Sequence, residues 1–237
     1  MHSVSTARRL VAEGLGTAML LATVVGSGIM GERLAGGNVA IALLANSLAT
    51  GAALVALILT FGPISGAHFN PAVTIADASQ GGISWRLVPG YVTAQTAGAF
   101  LGVVVAHAMF GHPLVQVSQH ARGGTAQWFS EFVATFGLLA VIWSCSRRRS
   151  VAVPFAVAAY ITAAYWFTAS TSFANPAVTL ARAATNTFAG IRPVDVPGFV
   201  IAQLVGAAVA TALFRWLVPA LPASAGDVVV PKDESTP

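Results

Sequence analysis

The polar residues best placed to do chemistry in this chain are written twice. Asn-Pro-Ala-Val-Thr stands at Asn70–Thr74 and again at Asn175–Thr179, and the match extends to seven of nine positions through Ala78 and Ala183. One of the two mismatches sets Asp77 against Arg182. Asn is a strong helix N-cap, Pro suits the first helical position and Ala is the best helix former. Asn70-Pro71-Ala72 and Asn175-Pro176-Ala177 therefore each read as the start of a short helix. A capping Asn keeps side-chain N–H groups that can donate to a passing oxygen. The carbonyls just before each cap would supply acceptors along the same track: Gly66, Ala67 and His68 in one copy, Ser172, Phe173 and Ala174 in the other. Such a set can hand along a neutral, oxygen-bearing molecule. The chain shows no nucleophile constellation and no convergent acid–base pair, which argues against an enzyme.

The elements that must hold these residues are membrane spans. The 237 residues are 56% hydrophobic and only 8% charged, against about 25% charged residues in soluble domains. The net charge of +4 comes from twelve basic residues scattered between apolar runs, so it forms no basic face and implies no nucleic-acid partner. Cys145, the one cysteine, excludes an intrachain disulfide and a cysteine-based metal cluster. Six runs are long enough to cross a bilayer, roughly 8–30, 38–61, 85–109, 126–146, 151–170 and 195–217. The first reads as a permanent span rather than a cleaved signal, because Glu13 interrupts it and it has a counterpart later in the chain. The two Asn-Pro-Ala segments are too short to cross and read as re-entrant.

The duplication extends beyond the motif. Glu13 and Thr17 match Glu131 and Thr135, and Ala94-Gln95 with Gly98-Ala99 match Ala202-Gln203 with Gly206-Ala207. Each half thus holds three spans and one half-helix. Three is odd, so the second half starts on the opposite side of the bilayer and the repeats are inverted. The two half-helices then enter from opposite faces and their N-termini meet near the midplane. Irregular backbone at that depth is tolerated only when packed in protein or lining a water-filled cavity. Arg8, Arg9, Arg86, Arg147, Arg148, Arg149, Arg215 and Lys232 fall on one side, and Arg33, Arg122, Arg182 and Arg192 on the other. The excess places both termini in the cytoplasm.

The paired Asn-Pro-Ala half-helices, Glu-x-x-x-Thr at the start of each repeat, and Ser-Gly-x-His-Phe-Asn-Pro-Ala-Val-Thr at 65–74 resemble the aquaporin (major intrinsic protein) family from about residue 8 to 217. The resemblance implies an all-α membrane protein of six spans plus two re-entrant half-helices. It divides the chain into a cytoplasmic N-terminus (1–7), a channel domain (8–217, repeats at about 8–110 and 125–217) and a cytoplasmic tail (218–237) read as disordered. It further implies passive conduction of water and small uncharged solutes, a homotetramer in the cell (inner) membrane, and neither cofactor nor metal. Inverted repeats with broken helices also describe secondary transporters, which stays open as the alternative class.

The family pattern puts Arg directly after the second Asn-Pro-Ala, where this chain has Val178. Carrying over the other filter positions by spacing gives Thr50, Ala163 and Ser172. That ring is small and lacks the Arg, His and bulky aromatic of strict water pores. The resemblance is closest to bacterial Arg-lacking members associated with uncharged metalloid acids such as arsenite, and a solute of glycerol dimensions is expected.

Arg182 lies one helical turn beyond Val178. It and its repeat mate Asp77 are read as solvated flank charges, with an outer-vestibule role for Arg182 as the alternative. Glu13 and Glu131 are read as structural acids accepting N–H bonds from the re-entrant loops, and Gln95 and Gln203 as interhelical hydrogen-bonding groups. Gly98, Gly102, Gly206 and Ala210 are read as small residues permitting close helix crossings. His68 is read as pore lining rather than a metal ligand, and His107, His112 and His120 as part of a surface loop.

Overall fold

The computed structural model describes residues 4–148 and 150–218; the tail beyond, expected to be disordered, lies outside them. Eight α-helices follow one another: α1 (Thr6–Leu34), α2 (Val39–Ser65), α3 (Pro71–Gln80), α4 (Val88–Phe110), α5 (Thr125–Arg148), α6 (Val153–Phe167), α7 (Pro176–Arg182) and α8 (Val196–Leu217). Helices α1, α2, α4, α5 and α8 are long and apolar enough to cross a membrane. Helix α6 is shorter than the 151–170 expected, at 15 residues, or about 22 Å at about 1.5 Å per residue. A 3₁₀ turn at Ser150–Ala152 precedes it. At its far end Thr168 adopts an extended conformation, and its hydroxyl donates to the Ala164 carbonyl. The chain leaves the helix there because the re-entrant loop must begin.

Helices α3 and α7 are the two half-helices, and each begins at its motif Pro with Asn as N-cap. The packing repeats in the same way: α1 packs on α2 and α4, α5 packs on α6 and α8, and α2 meets α6 between the halves. Apolar side chains such as Leu21, Val25, Leu139 and Trp143 fill the centre of each helix group and are essentially inaccessible. Many others, Val11, Leu48 and Phe129 among them, remain exposed on the outer surface, as a lipid-facing perimeter requires.

The α1–α4 crossing depends on absent side chains. A β-carbon at Gly98 would collide with the Gly14 carbonyl oxygen, and one at Gly102 with that of Ala18. In the second half, a β-carbon at Gly206 would lie 2.5 Å from the Phe132 carbonyl oxygen. The obstacle in each case is backbone, which cannot swing aside. Gly16 has another task, since the Phe69 ring occupies the space its side chain would need. Gly98→Val is expected to destabilise the fold by about 3 kcal/mol through forced separation of α1 and α4. Loss of the monodisperse peak in size-exclusion chromatography would report it, and Gly98→Ala should lie between mutant and wild type.

Candidate solute pathway

The two half-helices are held end to end by their own caps. Asn70 Oδ1 accepts from the Ala72 N–H at 2.9 Å, and Asn175 Oδ1 from those of Ala177 and Val178 at 3.0 and 3.2 Å. Their amide nitrogens reach across. Asn70 Nδ2 donates to the Ala174 carbonyl, and Asn175 Nδ2 to the Phe69 carbonyl, both at 2.7 Å. Each cap thus fixes the loop of the other repeat. An amide has two N–H groups, and the second of each remains beside the central cavity that both residues line.

The loops before the caps are not simple extended strands. Ala67 and Phe69 in one, and Thr171, Ser172 and Ala174 in the other, have φ between 47° and 61°. Left-handed residues of this kind are uncommon outside glycine and persist only when their surroundings enforce them. Buried carboxylates enforce these. Glu13 accepts from the His68 N–H at 3.0 Å and the Phe69 N–H at 2.7 Å. Glu131 accepts from the Phe173 and Ala174 N–H groups, both at 2.8 Å. Gln95 donates to Glu13 and to the Thr74 hydroxyl, and Gln203 to Glu131 and to the Thr179 hydroxyl. Ser65 adds a further donor to Glu13 at 2.7 Å. Both acids are wholly inaccessible. A buried carboxylate is tolerable only when its lone pairs are satisfied, and three or four charge-assisted bonds meet that need.

With their N–H groups turned toward the acids, the loops line one side of a cavity of about 70 Å³. The opposite wall is apolar and built from matching stripes. Leu20 and Val24 come from α1, Leu54 and Ile58 from α2, Leu138 and Ile142 from α5, and Val157 and Ile161 from α6. A molecule in this space meets hydrogen-bonding groups on one flank only. Gly66, expected among the lining residues, instead forms the left-handed C-cap of α2 at φ 90° and turns the chain into the loop. Ala67, His68, Phe173 and Ala174 line the cavity.

Beside the first turn of α7, Thr50, Ser172 and Val178 all line the cavity wall. Ala163 does not. It is exposed on the outer surface of α6, and Tyr165 takes the inner position with its hydroxyl 3.2 Å from that of Thr50. Helical periodicity explains the correction. Val157, Ile161 and Tyr165 are spaced by four and form one face, whereas Ala163 lies on the opposite one. That stripe was readable in the sequence, and it would have pointed to Tyr165.

Arg182 is not a solvated flank charge. It is 2% exposed and lines the cavity with Val178. Its Nε donates to the Ala189 carbonyl and its guanidinium lies 3.4 Å from the centre of the Phe173 ring. Asp77 is also buried, with a carboxylate oxygen 3.5 Å from His68 Nε2. The two repeats have therefore changed residues in pairs: acid with histidine in one, arginine with phenylalanine in the other.

Arg122 is a further site residue, which the sequence marked only as a topology charge. It is 8% exposed and reaches inward from the segment before α5. There it donates to the carbonyls of Gly190 (2.8 Å), Ser170 (3.2 Å) and Phe188 (3.3 Å). Its guanidinium lies 5.0 Å from the Phe173 ring centre. Burial pushes its pKa down to about 10, which leaves it charged at neutral pH. Partial burial, together with the charges of Arg122 and Arg182, holds His120 below the ordinary histidine range.

The segment carrying Arg122 is pinned rather than loose. Gln116 and Ser118 donate backbone N–H bonds to Ala184 and Ala183, and Arg192 donates one to His120. His107, read as part of a surface loop, is instead wholly buried, with Nε2 2.7 Å from the Thr185 hydroxyl.

Replacing Glu131 by Gln would turn amide hydrogens toward a loop N–H, at about 1–3 kcal/mol for the lost acceptor. The expected outcome in proteoliposomes is a lower melting temperature and reduced flux of water and glycerol together, with their ranking unchanged. Altered ranking at unchanged stability would mean that the carboxylate acts on the solute rather than on the loop.

The chain is similar to known proteins. The family model described as major intrinsic protein matches residues 1–152 and 146–236. The aquaglyceroporin AqpS of Rhizobium meliloti (strain 1021) is 57% identical over 223 residues, covering 94% of this chain and 95% of that one. The probable aquaporin NIP7-1 of Arabidopsis thaliana is 37% identical over 129 residues, covering 54% of this chain and 46% of that protein. Among solved structures, the aquaglyceroporin from Plasmodium falciparum superposes with a TM-score of 0.71 at 21% identity, over 92% of this chain and 100% of that one; at that identity it speaks for the fold. The chain belongs to the major intrinsic protein family.

Proposed function

We propose that this major intrinsic protein, a channel for water and small neutral solutes, has a widened outer filter that admits glycerol-sized polyols and uncharged metalloid acids such as arsenite. The observation that carries this reading is Val178. It follows the second Asn-Pro-Ala, lines the cavity, and puts an uncharged branched side chain where the family pattern has Arg. Thr50, Tyr165 and Ser172 complete the ring. The Thr50–Tyr165 hydroxyl pair can accept and donate, and the apolar helix wall faces it, so a molecule with hydroxyls along one edge suits both flanks. The 57% identity to an aquaglyceroporin supports the same size class.

Cation exclusion follows from the same geometry. The N-terminal ends of α3 and α7 meet at the two Asn residues, and helix N-termini carry partial positive charge. A cation there would lose hydration and meet a repulsive field, the barrier used by aquaporin-type pores. A neutral solute exchanges water for the second amide N–H of Asn70 and Asn175. We further assign the cell membrane, cytoplasmic termini and a homotetrameric assembly, on the distribution of Lys and Arg and on family membership.

The test is stopped-flow light scattering on proteoliposomes with water, glycerol, urea and arsenite. Val178→Arg is expected to lower glycerol and arsenite flux about tenfold, the equivalent of about 1.4 kcal/mol of added barrier, while water flux is largely kept. Equal loss for every solute, or no change, would show that Val178 does not stand at the constriction.

A further inference from the structure

Arg182 presents more than it uses. Its Nε is committed to the Ala189 carbonyl, but among the described residues no acceptor reaches Nη1 or Nη2, although the residue is 98% buried and lines the cavity. The Ser172 hydroxyl, on the same cavity wall, is also buried without a partner. The Arg182 amino groups, without a protein acceptor, open on the cavity, and that is where an acceptor for them can come from.

The surroundings specify the sign of that acceptor. Arg122 places a second guanidinium at the Phe173 ring. Among the described residues no carboxylate lies within ion-pair distance of either guanidinium: Asp77 faces His68, and Asp195 faces Arg192 and accepts only the backbone N–H of Arg122. Glu131 acts on both charges from beyond contact distance, and their direct partners are backbone: the consecutive carbonyls of Phe188, Ala189 and Gly190 accept from Arg122, Arg182 and Arg122 in turn. Arg122 spends its donors on building the vestibule, and Arg182 keeps two amino groups for a guest. Parallel N–H groups of a guanidinium fit two oxygens of a planar oxyanion or carboxylate.

We propose that Arg182, with the Ser172 hydroxyl, forms a binding site for a small planar oxyanion in the vestibule beyond Val178. The site lies on the solute path, so its occupant slows neutral solutes. This inference rests on the channel reading above.

Nitrate is a suitable probe because it is planar and stays ionised at neutral pH. Glycerol flux is measured in proteoliposomes as nitrate replaces chloride at constant ionic strength. Wild-type flux should fall saturably, by about threefold when nitrate reaches about twice its Kd, and recover on washing. Arg182→Gln, whatever its own glycerol flux without nitrate, should show no fall as nitrate replaces chloride. No fall in the wild type, or an equal fall in Arg182→Gln, would overturn the site. Should Arg182→Gln fail to assemble, the wild type decides: a non-saturating or irreversible effect overturns the site, and a saturable, reversible one sustains it. Absence of glycerol flux without nitrate would instead contradict the proposed function.

Discussion

The structure depends on two carboxylates at membrane depth. A re-entrant loop must leave helical geometry inside a medium that offers its backbone no water. Glu13 and Glu131 supply the missing acceptors, each taking two consecutive loop N–H groups. That arrangement holds several loop residues at left-handed φ and frees the opposite flank of the loop for the cavity. The acids are held in turn by Gln95 and Gln203, which also bind Thr74 and Thr179 on the half-helices. Loop, half-helix and surrounding span are therefore one unit. The glycine crossings of α1 with α4 and of α5 with α8 set the distance at which this unit closes.

Upon this near-symmetric frame the two ends of the path differ. The first repeat pairs His68 with Asp77, and the second pairs Phe173 with Arg182. In the second half the cation stands one helical turn beyond Val178. There it lies over the Phe173 ring. Two guanidinium groups, those of Arg182 and Arg122, thus approach one aromatic ring in the second half.

The architecture was legible because its signals were redundant. Two caps, two half-length helices, an odd number of spans per half and paired Glu and Gln residues all require the same inverted repeat. What escaped was information carried by side-chain reach and helix phase. Ala163 was placed by counting from the motif across a junction where α6 stops early, and Tyr165 holds the inward face instead. Arg182 and Asp77 looked like flank charges because linear sequence does not show that Phe173 and His68 fold back to meet them. Arg122 lies 60 residues from Arg182 in the chain, and only the pinning of its segment against residues 183–192 brings it to the Phe173 ring. The burial of His107 has the same cause.

A path lined from both faces at once by fixed loops should conduct passively and without coupling. Glycerol uptake by proteoliposomes, followed over a wide concentration range with and without proton and sodium gradients, tests this most directly. Uptake should rise linearly with concentration and be identical with and without either gradient. Saturable uptake driven by a gradient would contradict the account and identify an alternating-access transporter built on the same inverted repeat.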